Sequence, residues 1–210
     1  MNLSELTLDQ FARRLANGTP APGGGSAVAL AAVLSAALCA MVARLTVGKE
    51  KYRDAWESME SLGNAADELV GVFLELVTRD TEAYSEVTDA FKLPKDTHDQ
   101  RSSRGQAIEV AMQHAAAVPL ATLENLHHVA DLAREALQHG NPNCLTDAGV
   151  AVQLMRATAA GAGYNVRVNL QGIKDRKLAE AKLARSKELY AQIDRAAAEL
   201  EEMIEERLGH

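Results

Sequence analysis

Two groups of residues in this chain have the types and spacing to do chemistry. The first is an aspartate on an apolar stripe. Leu69, Phe73, Leu76, Val77, Tyr84, Val87 and Phe91 recur at helical spacing, and Asp80 falls between Leu76 and Tyr84, four residues from each. A carboxylate on a buried face must be paired, hydrogen-bonded or protonated, because desolvating it alone is costly. Burial raises its pKa and a nearby cation lowers it. Such a group suits general acid or base work; a structural ion pair with Arg44 or Lys49 is the other reading. The second group is Asp147, Asn165 and Asn169. Asp147 and Asn165 are 18 residues apart, five whole helical turns, so they share a face, with Asn169 one turn further on. Asparagine is a poor helix-interior residue, so polar work is implied there, either on a ligand or in capping and helix-helix bonds.

Distance limits the second group. Eighteen residues at about 1.5 Å each span about 27 Å. Asp147 and Asn165 therefore cannot meet one small reacting centre from a straight helix of one chain. A long ligand, a bend at Gly161-Ala-Gly163 or a site shared between subunits would be required.

A glycine run supplies a candidate binding loop. Pro20-Ala-Pro-Gly-Gly-Gly-Ser26 ends in eighteen uncharged residues, Ser26 to Ala43, eight of them Ala. Glycine lets backbone approach a ligand or another helix closely. Ser26 is a good N-cap, and the first amides of a helix favour an anion or a polar ligand edge. The loop either binds a ligand or admits tight helix packing.

The elements that position these groups read as helices. One is expected over Leu3–Ala16, stopped by Asn17-Gly18, and an Ala-rich one over Ser26–Val47, broken by Gly48. A long helix spans Asp54–Phe91 and ends at Leu93-Pro94. The next pair, Asp99–Ala116 and Pro119–His139, is divided at Pro119. After the Gly140-Asn-Pro-Asn143 turn, a helix capped by Asn143 or Thr146 runs to Leu170. A last one runs from Asp175 to Arg207, with Leu189, Ile193, Ala197, Leu200 and Ile204 as a core or dimer seam. Residues 165–170 are the one candidate strand. One all-α domain over residues 1–210, a bundle of long antiparallel helices, is the simplest account.

Composition narrows the function classes. The 210 residues are 47% hydrophobic and 24% charged, a globular balance. A net charge of −7 argues against non-specific nucleic-acid binding, and 4% aromatics against stacking platforms. Residues 1–10 lack a signal-peptide pattern. The uncharged run Ser26–Ala43 has the length of a membrane span, but its alanines and closing Arg44 suit a central core helix, so no membrane is expected. Cys39 and Cys144 fit a reducing cytoplasm, with Cys39 as a core hydrophobe and Cys144 lacking a base for nucleophilic work. The six histidines show no ligand spacing, so no metal is expected. The glycine loop lacks the Lys-Ser/Thr of a nucleotide P-loop.

Taken in order, these motifs resemble one family. Pro20-Ala-Pro-Gly-Gly-Gly-Ser26, Met41-Val, Leu45-Thr-Val-Gly-Lys49, Asp80-x-x-Ala-Tyr84, Lys92-Leu-Pro-Lys95, Pro119-Leu120, Asn143-x-x-Thr-Asp147 and Gly161-Ala-x-x-Asn165-Val-x-x-Asn169 are similar to the cyclodeaminase/cyclohydrolase family of folate enzymes. The resemblance runs from about Leu3 to Leu178. Thr146-Asp147 stands where the family commonly has Ser-Asp. The resemblance implies a helical homodimer without metal or permanently bound cofactor, acting on the N5–N10 one-carbon bridge of tetrahydrofolate. Water opens the methenyl bridge to 10-formyltetrahydrofolate, or formimino-tetrahydrofolate closes to the methenyl form with loss of ammonia. The Thr146–Ala151 run looks more like the stand-alone hydrolases, so hydrolysis is the favoured reading; a silent dimerisation protein is the alternative outside enzymology. The resemblance makes Asp80 the acid/base residue. It implies that Asn143, Asp147, Asn165 and Asn169 pair with the pterin edge. Lys49 and the Gly23, Gly24 and Gly25 amides, with Ser26, would hold the glutamate tail.

Overall fold

The uncharged segment becomes the axis of a helical bundle. A computed structural model describes residues 2–209; Met1 and His210, which the 1–210 domain includes, lie outside the described residues. After a single 3-10 turn, Leu3–Glu5, come α1 (Leu8–Ala16), α2 (Gly24–Arg44), a 3-10 segment Glu50–Ala55, and α3 (Trp56–Lys92). Then follow α4 (His98–His139), a 3-10 turn Pro142–Cys144, α5 (Leu145–Leu170) and α6 (Arg176–Leu208). No strand occurs among the described residues; residues 165–170, the candidate strand, are the last turns of α5.

Small side chains explain the central place of α2. Ala29, Ala32, Ala36, Cys39, Ala40 and Ala43 are buried against α3, α4 and α5. Burial pushes the Cys39 thiol up to about 12, so it behaves as a core hydrophobe. Helices α2 and α5 lie antiparallel. Gly24 faces Asn165, Val28 faces Gly161, and Ser35 Oγ donates to the Ala151 carbonyl at 2.7 Å. Contact is close enough that a β-carbon at Gly161 would lie 2.6 Å from Val28 Cγ2. The seam on α6 is core: Leu189, Ile193, Ala197, Leu200 and Ile204 are all buried within this chain.

Helix α2 is also the one described helix long and apolar enough to cross a membrane. It is instead packed between α3 and α5, with 56% of its most apolar stretch buried.

Several boundaries differ from the sequence expectation. The first helix is split, because Thr7 caps α1 in a capping box with Gln10. Gly48, at φ +81°, ends the turn after α2. Helix α4 runs unbroken through Pro119. Proline removes one amide and leaves the carbonyl four residues earlier without its helical donor. That carbonyl is Ala115, and Asn169 Nδ2 of α5 donates to it at 2.7 Å. Tertiary structure thus supplies the bond that the sequence of α4 lacks. The exposed ends of α3 also differ: Tyr84 and Phe91, read as part of a buried stripe, are 39% and 50% exposed.

Candidate active site

The glycine loop meets the aspartate of α3. Gly23 is the N-cap of α2, and the helix begins at Gly24. Ser26 therefore lies inside the first turn instead of capping it, since three glycines offer no steric objection to starting earlier. Its freed hydroxyl donates to Asp80 Oδ2 at 2.8 Å, and its backbone amide bonds the same carboxylate. An aspartate from a different helix thus caps the positive end of α2. The approach needs glycine: a β-carbon on Gly25 would sit 2.0 Å from Asp80 Oδ1.

Asp80 is held without a cation. Arg44, one expected partner, pairs with Asp67, and Lys49 lies beyond the opposite end of α2. Burial raises the Asp80 pKa above the usual carboxylate range, and the two Ser26 bonds pull against it without cancelling it. Ser26 Oγ also lies 3.3 Å from Thr81 Oγ1, so the hydroxyls of Thr81 and Ser26 and the Asp80 carboxylate form a short chain. A half-buried carboxyl with a raised pKa and two fixed donors can take up and return a proton.

Asn165 joins this group from α5. A β-carbon at Gly24 would be 3.8 Å from Asn165 Nδ2. The Asn165 amide donates to its own helix at Gly161 O, 2.9 Å away, and both its Nδ2 and its Oδ1 lie beside the loop. The Asn169 amide is engaged with the Ala115 carbonyl.

The remaining candidates stand at the other end of α2 and α5. Helix α5 is uninterrupted, so Gly161-Ala-Gly163 introduces no bend. Lys49 is exposed, and both Lys49 and Asp147 are near enough to act on the Cys144 thiol. Burial chiefly raises that thiol, Asp147 adds to the rise and Lys49 opposes it. Asn143 is exposed; neither it nor Thr146 caps α5, whose N-cap is Cys144. Within one chain the structure brings together Gly23–Ser26, Asp80 and Asn165. It sets Lys49, Asn143 and Asp147 apart from them by the length of α2, about 30 Å for 21 residues.

A family model described as formiminotransferase-cyclodeaminase matches residues 7–206. The chain belongs to that family. It is 36% identical to a methenyltetrahydrofolate cyclohydrolase of Methylorubrum extorquens over 89% of each chain. It is 33% identical to the formimidoyltransferase-cyclodeaminase of Rattus norvegicus over 83% of this chain, which spans 32% of that longer protein. The crystal structure of formiminotetrahydrofolate cyclodeaminase from Thermotoga maritima superposes with a TM-score of 0.88 at 27% identity, covering 98% of this chain and 99% of that one. The family thus contains both of the activities that the motifs suggested.

Two residues of this family member escaped the sequence reading. Thr81 extends the hydroxyl chain behind Asp80, and its position next to Asp80 was the available signal. Asn141 fastens the far end: it accepts from Tyr52 Oη and the Asn143 amide, both at 3.1 Å, and donates to Leu45 O at 3.2 Å. Its own amide bonds Thr46 Oγ1 at 2.8 Å. The turn Gly140-Asn-Pro-Asn143 marked the place, but not which asparagine faces inward.

Proposed function

We propose that this chain is a folate one-carbon enzyme that hydrolyses 5,10-methenyltetrahydrofolate to 10-formyltetrahydrofolate, with Asp80 as the acid/base residue. The observation that carries the reading is the contact of Asp80 with Gly25 and Ser26, a half-buried carboxylate held by two donors and no cation. The methenyl bridge is an amidinium cation, which a low-dielectric carboxylate stabilises. Asp80 takes a proton from water as the water oxygen bonds the bridge carbon. It returns a proton to N5 as the carbon–N5 bond breaks; the remaining proton leaves to solvent and the formyl group stays on N10. The first-turn amides of Gly24 and Gly25, which have no helical acceptor, and the Asn165 side-chain amide group orient the substrate. The folate is substrate, and no resident cofactor enters the scheme.

The second cluster enters this scheme through a homodimer. Ala27, Ala31, Leu34, Leu38, Met41 and Leu45 form a stripe along α2, and none of them is fully buried. Val150, Leu154, Ala157, Gly161 and Val168 continue it on antiparallel α5. A two-fold axis lying in this face and perpendicular to α2 sets α2 against α2 in opposite directions. Lys49, Asn143 and Asp147 of one copy then reach the loop and Asp80 of the other. The span of about 30 Å, an obstacle within one chain, becomes the measure that aligns the two ends.

The likeness to a cyclodeaminase at a TM-score of 0.88 favours a second reading, closure of formimino-tetrahydrofolate with loss of ammonia. There Asp80 would protonate the departing nitrogen. Absorbance assays on both folates separate the two. Consumption of the methenyl compound without turnover of the formimino compound supports hydrolysis. The reverse supports deamination, and inactivity on both rejects an enzyme of this class.

A further inference from the structure

A cleft of about 730 Å³ opens between α5 and α6, and neither Asp80 nor any of the candidate substrate-binding residues lines it. Two tyrosines stand on opposite walls, Tyr164 of α5 at 66% exposure and Tyr190 of α6 at 38%. Neither ring stacks on another aromatic group among the described residues. Three cations line the same cleft, Arg167, Arg176 and Lys187. Among the described residues none of the three is in an ion pair, whereas Arg134, Arg156 and Arg185 are all paired. One carboxylate, Glu180, shares the lining, and Leu170 and Leu183 make an apolar floor. In a chain of net charge −7, three unmatched cations around one apolar cleft are a local reversal of sign.

We propose that this cleft is a second ligand site, for a nucleoside polyphosphate. The volume lies in the range of small-molecule sites. Guanidinium forks suit phosphate oxygens, the tyrosine faces accept a flat heterocycle, and Glu180 can accept from a ring amino group or a ribose hydroxyl. A simple inorganic anion would leave the tyrosines and the floor unused.

Calorimetric titration of the full chain with ADP, pyrophosphate and adenosine tests this. ADP binds saturably and at least tenfold more tightly than either fragment. Arg167→Gln with Arg176→Gln, both at exposed positions, weakens ADP at least tenfold and leaves the helical circular dichroism spectrum unchanged. A non-reactive tetrahydrofolate does not displace ADP. The proposal is overturned if ADP does not bind, if either fragment binds as tightly, if the double variant binds ADP as well as the parent does, or if the folate displaces it. Because the readout is binding, these outcomes are independent of whether the chain hydrolyses methenyltetrahydrofolate.

Discussion

A β-carbon placed on Gly25 would lie 2.0 Å from Asp80 Oδ1. Glycine is therefore required here for room, and the loop and the carboxylate form one device. Gly25→Ala forces the short Asp80 side chain to rotate away from Ser26. The expected cost is roughly 1–3 kcal/mol of stability with at least a tenfold loss in kcat/KM. In an Asp80→Ala background the same glycine substitution costs much less stability. Denaturant melts of the four proteins measure that coupling; equal costs in both backgrounds would show that the two residues do not interact.

The state of Asp80 should appear in pH dependence. Its folded pKa is raised by burial above the unfolded value, so the native state binds more protons between the two. Its contribution to stability is present below the unfolded pKa and is lost as pH rises through the folded one. Asp80→Asn abolishes that loss, and thermal melts across pH should show it. In hydrolysis Asp80 works ionised, so kcat/KM rises with pH through the raised pKa. Ser26→Ala removes a bond that lowers this pKa and moves the rising limb to higher pH. An unmoved limb would mean that the profile reports another group.

Asn169 completes the hydrogen bonding of α4. It donates to Ala115 O at 2.7 Å, the carbonyl that Pro119 deprives of a helical donor. Asn169→Ala leaves that carbonyl unsatisfied and should cost roughly 1–3 kcal/mol. Pro119→Ala restores an amide one turn on and should recover most of this in the double variant. Denaturant midpoints decide; an unrecovered double variant would assign Asn169 another role.

The dimer proposal is tested at Leu34, which is 46% exposed on the open stripe of α2. Leu34→Asp should give a folded monomer in sedimentation with activity reduced at least a hundredfold, because each half-site loses its complement. A monomer with parental activity would place the whole site in one chain.

Much of this architecture is legible in the sequence, and the failures have physical causes. Helical periodicity located α3 and α6, and one carboxylate on an apolar stripe located Asp80, since burial of charge is an anomaly that patterning exposes. Pro119 misled because its remedy, Asn169, comes from a different helix 50 residues on in sequence. Ser26 was misplaced by one turn because three glycines adopt helical geometry without complaint, and its hydroxyl answers to Asp80 instead of its own helix end. The shared face of Asp147 and Asn165 was readable from spacing, as was their separation. The inward turn of Asn141 was not, since it depends on Tyr52, Leu45 and Thr46 from other elements.

Steady-state turnover of methenyltetrahydrofolate by Asp80→Asn tests the central claim most directly. The substitution keeps the shape and an acceptor for Ser26 while removing the titrating group. The account predicts a kcat lowered about 10²- to 10⁴-fold, with KM changed little and the helical fold retained. Turnover close to that of the parent, on either folate, would contradict it.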